Sequence, residues 1–342
     1  MDRQQFLSTL LVAGAPLSAL GSISTDESTA APLLPPVLQK GDVIAITSPA
    51  GYITVAEVQP AIEQLKSWGL QVVTGNTIGK RDVTFGGTDE ERREDFQQLI
   101  NNPSVKAILC ARGGYGFVRI IDQLDFSLLK KNPKWILGFS DITVLHCHLN
   151  RNYGIASIHS KMCNSFPSVW AEADSIQQQT ILSIRDALMG QQMEYITAAS
   201  SGNKNGEAEG ILIGGNLKTI ESLAGSKSDL RTTNKILFLE DTGEYLYSID
   251  RMFWNLKRSG KLDHLAGLIV GGFKIKPADD PADEFGKTLQ QIVLEKIPDC
   301  NYPVCFDFPV GHQKQNYALK CGVKHKLSVS HNEVGLCEMQ NT

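Results

Sequence analysis

The chain has 342 residues, 42% of them hydrophobic and 20% charged, and a formal net charge of −4. That length predicts two domains, and that much apolar surface excludes wholesale disorder. No block of five or more basic residues occurs, which argues against a nucleic-acid partner. Beyond the first twenty residues no apolar run approaches the ~20 needed to span a bilayer, so no stable membrane span is expected.

At the N-terminus, Arg3 precedes an apolar run over 6–20, followed by the small residues Gly21 and Ser22. This is the pattern of a secretory signal. Arg3-Gln4-Gln5-Phe6-Leu7 also looks like a degraded twin-arginine signal. Residues 1–36 therefore read as a signal-like extension, and the protein as periplasmic or otherwise exported. The alternative is a cytoplasmic protein with a frayed amphipathic extension.

A first domain is expected over 37–189. A strand over 43–47 leads into the turn Ser48-Pro49-Ala50-Gly51. A helix over about 55–68 places Ala61, Ile62, Leu65 and Trp68 on one face, and Gly69 closes it. A strand follows over 70–73. Thr88-x-x-Glu91 is a capping-box signature that opens a charged helix. Next come a strand over 106–110, the loop Ala111-Arg112-Gly113-Gly114-Tyr115-Gly116, and a helix to about 124. Another strand over 135–140 and a helix over 141–152 continue the alternation, which implies a parallel sheet. Residues 190–209 lose apolar periodicity and read as a linker. A second domain over 210–342 has strand-like runs at 211–213, 235–239, 267–271, 304–308 and 326–330, with helices near 216–224, 249–258 and 285–297.

The seven cysteines contain no CxxC pair, so zinc-ribbon spacing is absent and no metal is expected. Cys110 and Cys147 read as core residues. Cys300, Cys305, Cys321 and Cys337 fall in the last 43 residues and could include a disulfide in an exported protein.

Four segments could carry chemistry. The loop Arg112-Gly113-Gly114-Tyr115-Gly116 could cradle a phosphate, bind an oxyanion or carboxylate through its amides, or simply make a tight turn. It lacks the dinucleotide fingerprint and the Walker lysine. Gly138-Phe139-Ser140-Asp141 sets a serine at a strand-to-helix junction, half of a nucleophile elbow, where an ordinary N-cap is the plainer reading. Leu239-Glu240-Asp241 puts an acidic pair at a strand end. His312, in Val310-Gly311-His312, is a loop histidine fixed by a Pro and a Gly, suited to a base. His146 and His148 are i, i+2 on a helix and do not face together. His159 reads as a residue at a sheet edge, and His264, His325 and His331 as solvated.

Taken together the chain resembles the LD-carboxypeptidase family of serine peptidases, which includes muramoyltetrapeptide carboxypeptidases and microcin-immunity peptidases. The matching pieces are Lys40-Gly41-Asp42 with Ser48-Pro49, Ala111-Arg112-Gly113-Gly114-Tyr115-Gly116, Gly138-Phe139-Ser140-Asp141-Ile142-Thr143, Gly214-Gly215-Asn216-Leu217, Leu239-Glu240-Asp241, Ile249-Asp250-Arg251 and Gly311-His312. The resemblance spans about 39–335. It implies an α/β protein with a flavodoxin-like parallel-sheet N-terminal domain and a β-rich C-terminal domain, assembled as a homodimer without metal or organic cofactor. It implies Ser140 as nucleophile, His312 as base and Glu240 as orienting acid, with the amides of Gly114 and Asp141 as oxyanion hole.

The implied substrate is murein tetrapeptide or a related fragment, cut between an L-centre and a terminal D-Ala. Arg112, Lys161 and Arg251 are candidates for reading its carboxylate. Two departures stand out: His159-Ser160-Lys161-Met162 where family members often read His-Gly-Pro-Met, and the N-terminal extension. The alternatives are a microcin-immunity-like amidase of acylated nucleotides and a non-catalytic binder of peptidoglycan peptides.

Overall fold

β1 (Val43–Thr47) is an apolar run of the kind buried on both faces, and it lies inside a parallel sheet, next to the edge strand. The structure is a computed structural model that describes residues 32–339. From β1 the chain passes through α1 (Val55–Ser67), capped by a Thr54–Glu57 capping box, to β2 (Gln71–Thr74). Then come α2 (Asp89–Asn101), whose capping box is Thr88–Glu91, and β3 (Val105–Cys110). α3 (Ser127–Lys131), β4 (Trp135–Gly138), α4 (Thr143–Tyr153), β5 (Ser157–His159) and α5 (Ser175–Leu188) complete the first half.

The strands order as β2-β1-β3-β4-β5, all parallel, which is the flavodoxin-like doubly wound arrangement. The loops after β1 and β3 flank its switch point. The α-helix expected after the glycine-rich loop is instead two 3₁₀ turns, Phe117–Arg119 and Ile121–Gln123. Gly116, at φ 138°, turns the chain there, and the Asp141 carboxylate takes the Phe117 N–H at 2.8 Å.

The second half begins with β6 (Glu194–Ala198), β7 (Gly206–Asn216) and α6 (Leu217–Ser222). Next come β8 (Lys235–Glu244), α7 (Leu246–Arg258), β9 (Gly267–Ile275), α8 (Leu289–Leu294) and β10 (Val304–Cys305). β11 (Leu319–Cys321), β12 (Lys324–Val329) and β13 (Glu333–Glu338) close the chain. The second sheet has seven strands in the order β10-β9-β8-β7-β12-β13-β6, parallel from β7 to β10 and antiparallel elsewhere. α4 joins the halves by packing on β5 from one side and on β7 and α6 from the other.

Several sequence boundaries move. The signal-like reading of 1–36 lies mostly outside the described residues. Its last residues belong to the fold: Leu33 bridges Ile155, and Trp135 Nε1 donates to Pro36 O at 3.0 Å. The linker over 190–209 carries β6, whose mostly exposed side chains give no apolar alternation to read. β11 leaves the second half and pairs antiparallel with β5, so Leu319 faces His159. Pro32 to the C-terminus accordingly clusters as one compact unit. All seven cysteines are free thiols, so the suggested disulfide is not formed.

Candidate active site

The site is built where β4 ends and where β8 carries Glu240. β4 ends at Gly138, and two residues later Ser140 stands at φ 61°, in the left-handed region. A non-glycine residue there costs about 1–3 kcal/mol, which surrounding structure must hold in place. A 3₁₀ turn over Ser140–Ile142 and then α4 follow directly, as in a nucleophile elbow. The strain distinguishes Ser140 from an ordinary N-cap, and Phe139 rather than Ser140 stands at the cap position of the turn.

The glycine-rich loop lies against this serine. A Cβ at Gly113 would sit 3.2 Å from Ser140 Cβ and 3.3 Å from Phe139 O, so any larger residue would press on the serine. Gly113 O accepts the Gly51 N–H at 2.9 Å, which ties the loops after β1 and β3 together. Among the described residues neither the Gly114 nor the Asp141 amide donates to a backbone or side-chain acceptor. The Asp141 carboxyl is buried and pushed up by that burial, while the amides of Phe117 and Gly116 offset part of the shift. It thereby fastens the loop's exit to the start of the turn that carries Ser140.

Arg92 is a contributor that sequence reasoning passed over as one charge in a charged helix. Its side chain is fully buried. Nη1 donates to Pro49 O at 2.7 Å and Gly116 O at 2.9 Å, Nε donates to Gly87 O at 3.2 Å, and Nη2 pairs with Asp89. One guanidinium thus holds the loops after β1 and β3 from behind. Only the two adjoining loop carbonyls, far apart in sequence, reveal this role.

From the second sheet come Glu240 and His312. β8 extends to Glu244, so Glu240 lies within the strand rather than at its end, and it is wholly buried. Its Oε2 accepts from His312 Nδ1 at 2.5 Å and from the His312 amide at 3.1 Å. The carboxylate therefore fixes the ring with hydrogen on Nδ1 and the lone pair on Nε2. Gly311 has φ 103°, and a Cβ there would fall 2.4 Å from Glu240 Cβ, so glycine alone permits this approach.

The two halves meet at Phe139. The His312 ring lies 4.9 Å from the Phe139 ring, and Phe139 is the residue before Ser140. Among the described residues no hydrogen bond joins Ser140 to His312, and the contact between the two halves runs through Phe139, the residue next to Ser140.

Other histidines are structural or supporting. His159 is fully buried on β5 rather than at an edge, because β11 covers that side. It meets Phe139 and Phe238 edge-on, and burial holds its imidazole well below the ordinary range, hence neutral. His146 Nε2 donates to Gly138 O at 2.9 Å and steadies the end of β4. His325 is buried, not solvated, while His264 and His331 are exposed.

The candidate carboxylate readers separate. Arg112 is exposed, and its Nη1 donates to Tyr52 O at 2.9 Å, on the glycine-loop side. Arg251 is exposed on α7, its guanidinium 5.5 Å from the Tyr247 ring and within electrostatic reach of Glu244. Lys161 is half-buried, with Nζ 2.7 Å from Gln313 O and 5.5 Å from the Phe139 ring. Asn216 and Asp241 join the start of α6 to β8, with Asn216 Nδ2 2.9 Å from Asp241 Oδ1. Burial pushes the Asp241 carboxyl up to about 6. Among the described residues no cluster of three or more His, Cys, Asp or Glu is arranged to hold a metal.

Comparison with known proteins gives the class. Residues 44–160 match the LD-carboxypeptidase N-terminal domain and residues 209–327 its C-terminal domain. A probable murein peptide carboxypeptidase of Bacillus subtilis is 32% identical over 299 residues, which cover 86% of this chain and 92% of that protein. The crystal structure of muramoyltetrapeptide carboxypeptidase from Oxalobacter formigenes superposes with a TM-score of 0.78 and 29% identity, covering 87% of this chain and 99% of that one. The microcin C7 self-immunity protein MccF of Escherichia coli is 25% identical, covering 90% and 96%. These matches make the protein a serine-type carboxypeptidase, a hydrolase. Within that class the chain belongs to the LD-carboxypeptidase family.

Proposed function

We propose that the protein removes the terminal D-Ala of murein tetrapeptide, cutting the amide bond between an L-centre and that D-residue through Ser140, His312 and Glu240. The observation that carries this reading is the Glu240–His312 pair, closed at 2.5 Å and seated on Phe139 beside the strained Ser140. His312 Nε2 takes the Ser140 proton as Oγ attacks the carbonyl carbon. The amides of Gly114 and Asp141 receive the oxyanion. His312 then gives that proton to the departing amine, the C–N bond breaks, and an ester to Ser140 remains. Water, deprotonated by His312, hydrolyses the ester and restores the serine. Glu240 keeps the ring oriented and stabilises the imidazolium in both halves of the cycle.

The test is mass spectrometry of L-Ala-D-iGlu-mDAP-D-Ala incubated with wild type and with Ser140→Ala. Loss of one D-Ala by wild type alone supports the reading; equal loss by both removes Ser140 from it. Similarity to MccF favours a second substrate class, an aminoacyl sulfamoyl nucleoside, which the same assay includes as a second arm. The higher identity to the murein peptide carboxypeptidase puts the tetrapeptide first. The reading extends to an exported homodimer, which cell fractionation and light scattering check.

A further inference from the structure

The leaving group dictates where its carboxylate must lie. His312 protonates the departing amine, so that nitrogen comes within about 3 Å of Nε2. In a terminal amino acid the carboxylate carbon is only about 2.5 Å from its nitrogen. A cation that reads this carboxylate therefore belongs beside His312, not on the glycine-loop side where the oxyanion forms.

Of the cations near the site, Lys161 meets this condition. Its Nζ is anchored to the carbonyl of Gln313, the residue after His312, at 2.7 Å. It also lies over Phe139, the ring that His312 packs against. Three N–H donors are present and the carbonyl takes one. A second cation is close by. Gly272 on β9 packs against the Gln313 side chain, and Lys274 stands two residues further along the same strand, paired with Thr242 on β8. Burial first, and then the charge of Lys274, make the Lys161 ammonium easier to deprotonate. The carboxylate that acts on Lys161 by charge is Glu240, whose Oε2 accepts from His312 and whose Oε1 has no hydrogen-bond partner, so it offsets part of the positive charge without bonding the lysine. Among the described residues neither lysine forms an ion pair, so two cations set against the single Glu240 charge leave net positive charge beside a base, a receptor for an anion.

We propose that Lys161, supported by Lys274, binds the α-carboxylate of the departing C-terminal residue and so makes the enzyme a carboxypeptidase. This rests on the reading of Ser140 and His312 given above. Arg112 and Arg251 are left out: the first is on the glycine-loop side, and the second already has an acidic neighbour.

The experiment compares kcat/KM on L-Ala-D-iGlu-mDAP-D-Ala with that on the same peptide ending in D-Ala amide. Wild type is expected to prefer the free acid by about 30- to 100-fold, the range of a charge-assisted hydrogen bond in a partly dry site. Lys161→Met reduces that preference at least tenfold, chiefly through KM on the acid. Lys161→Arg retains most of it, and Lys274→Met reduces it about threefold to fivefold. An unchanged preference in Lys161→Met overturns the proposal, because a purely structural lysine would weaken both substrates equally. Calorimetric binding of N-acetyl-D-alanine against its amide is measured in parallel. If wild type fails to cut the tetrapeptide yet binds the acid in a Lys161-dependent way, the murein reading falls and the carboxylate receptor stands. If neither cutting nor Lys161-dependent binding occurs, both fall.

Discussion

In the first sheet the candidate chemistry is carried by backbone geometry: Ser140 at φ 61°, Gly113 pressed against it, and two uncommitted amides at Gly114 and Asp141. In the second sheet it is carried by side chains: Glu240 buried within β8 and His312 fixed on it by two hydrogen bonds. The strands explain the division. β4 ends abruptly and turns into a helix, which exposes main-chain N–H groups. β8 continues past Glu240 to Glu244, pairing Glu240 with Asn216 on β7 and resuming with β9 at Asp241, so the strand does not end there and it is the side chain that acts. One half of the site is therefore sensitive to shape and the other to chemical identity.

Substitutions can break this comparison. The largest effect is expected for Ser140→Ala, a fall of about 10⁵-fold in kcat with the fold unchanged by circular dichroism. Glu240→Gln preserves shape and removes the charge that sets the His312 tautomer. It should lower kcat about 10⁴-fold in the same D-Ala release assay, with KM little altered. A Glu240→Gln enzyme of near wild-type rate would show that the second half also acts by shape. Gly113→Ala adds a Cβ 3.2 Å from Ser140 Cβ and is expected to cost about 100-fold in kcat, since displacement of the serine by less than 1 Å suffices.

The smallest effect is a pH dependence. The Lys161 ammonium, lowered to about 8, keeps its charge below that pH and loses it above. The KM for the acid substrate should therefore rise severalfold between pH 7 and pH 9. The KM for the C-terminal amide should stay nearly level across that range. Parallel KM–pH profiles for the two substrates would remove Lys161 from carboxylate binding.

The same contrast explains what could be read from the residues in advance. The helix over Val55–Ser67 announces itself through its apolar face and the closing Gly69, that over Asp89–Asn101 through its capping box, and the first sheet follows from strands alternating with them. Ser140, Glu240 and His312 each sit in a short motif whose turn chemistry is local. What escaped notice depends on partners distant in sequence. His159 resembles an edge residue until Leu319 pairs with it, and Arg92 resembles surface charge until Pro49 and Gly116 turn their carbonyls toward it. β6 escaped because its pattern is mostly exposed and its partner is β13. The ranking of Arg112, Lys161 and Arg251 likewise needed the position of Gln313.

The insertion of β11 beside β5 has a consequence for how the protein is made. On the ribosome the first five parallel strands emerge well before Leu319–Cys321, so β5 waits with one row of amides and carbonyls unpaired. The nascent first half cannot close its sheet until nearly the whole chain has been synthesised. The strand that closes it begins seven residues after His312, so completion of the sheet and delivery of the candidate base occur together. A proteolytic fragment ending before His312 would therefore carry an open sheet edge and lack the candidate base, and is expected to aggregate.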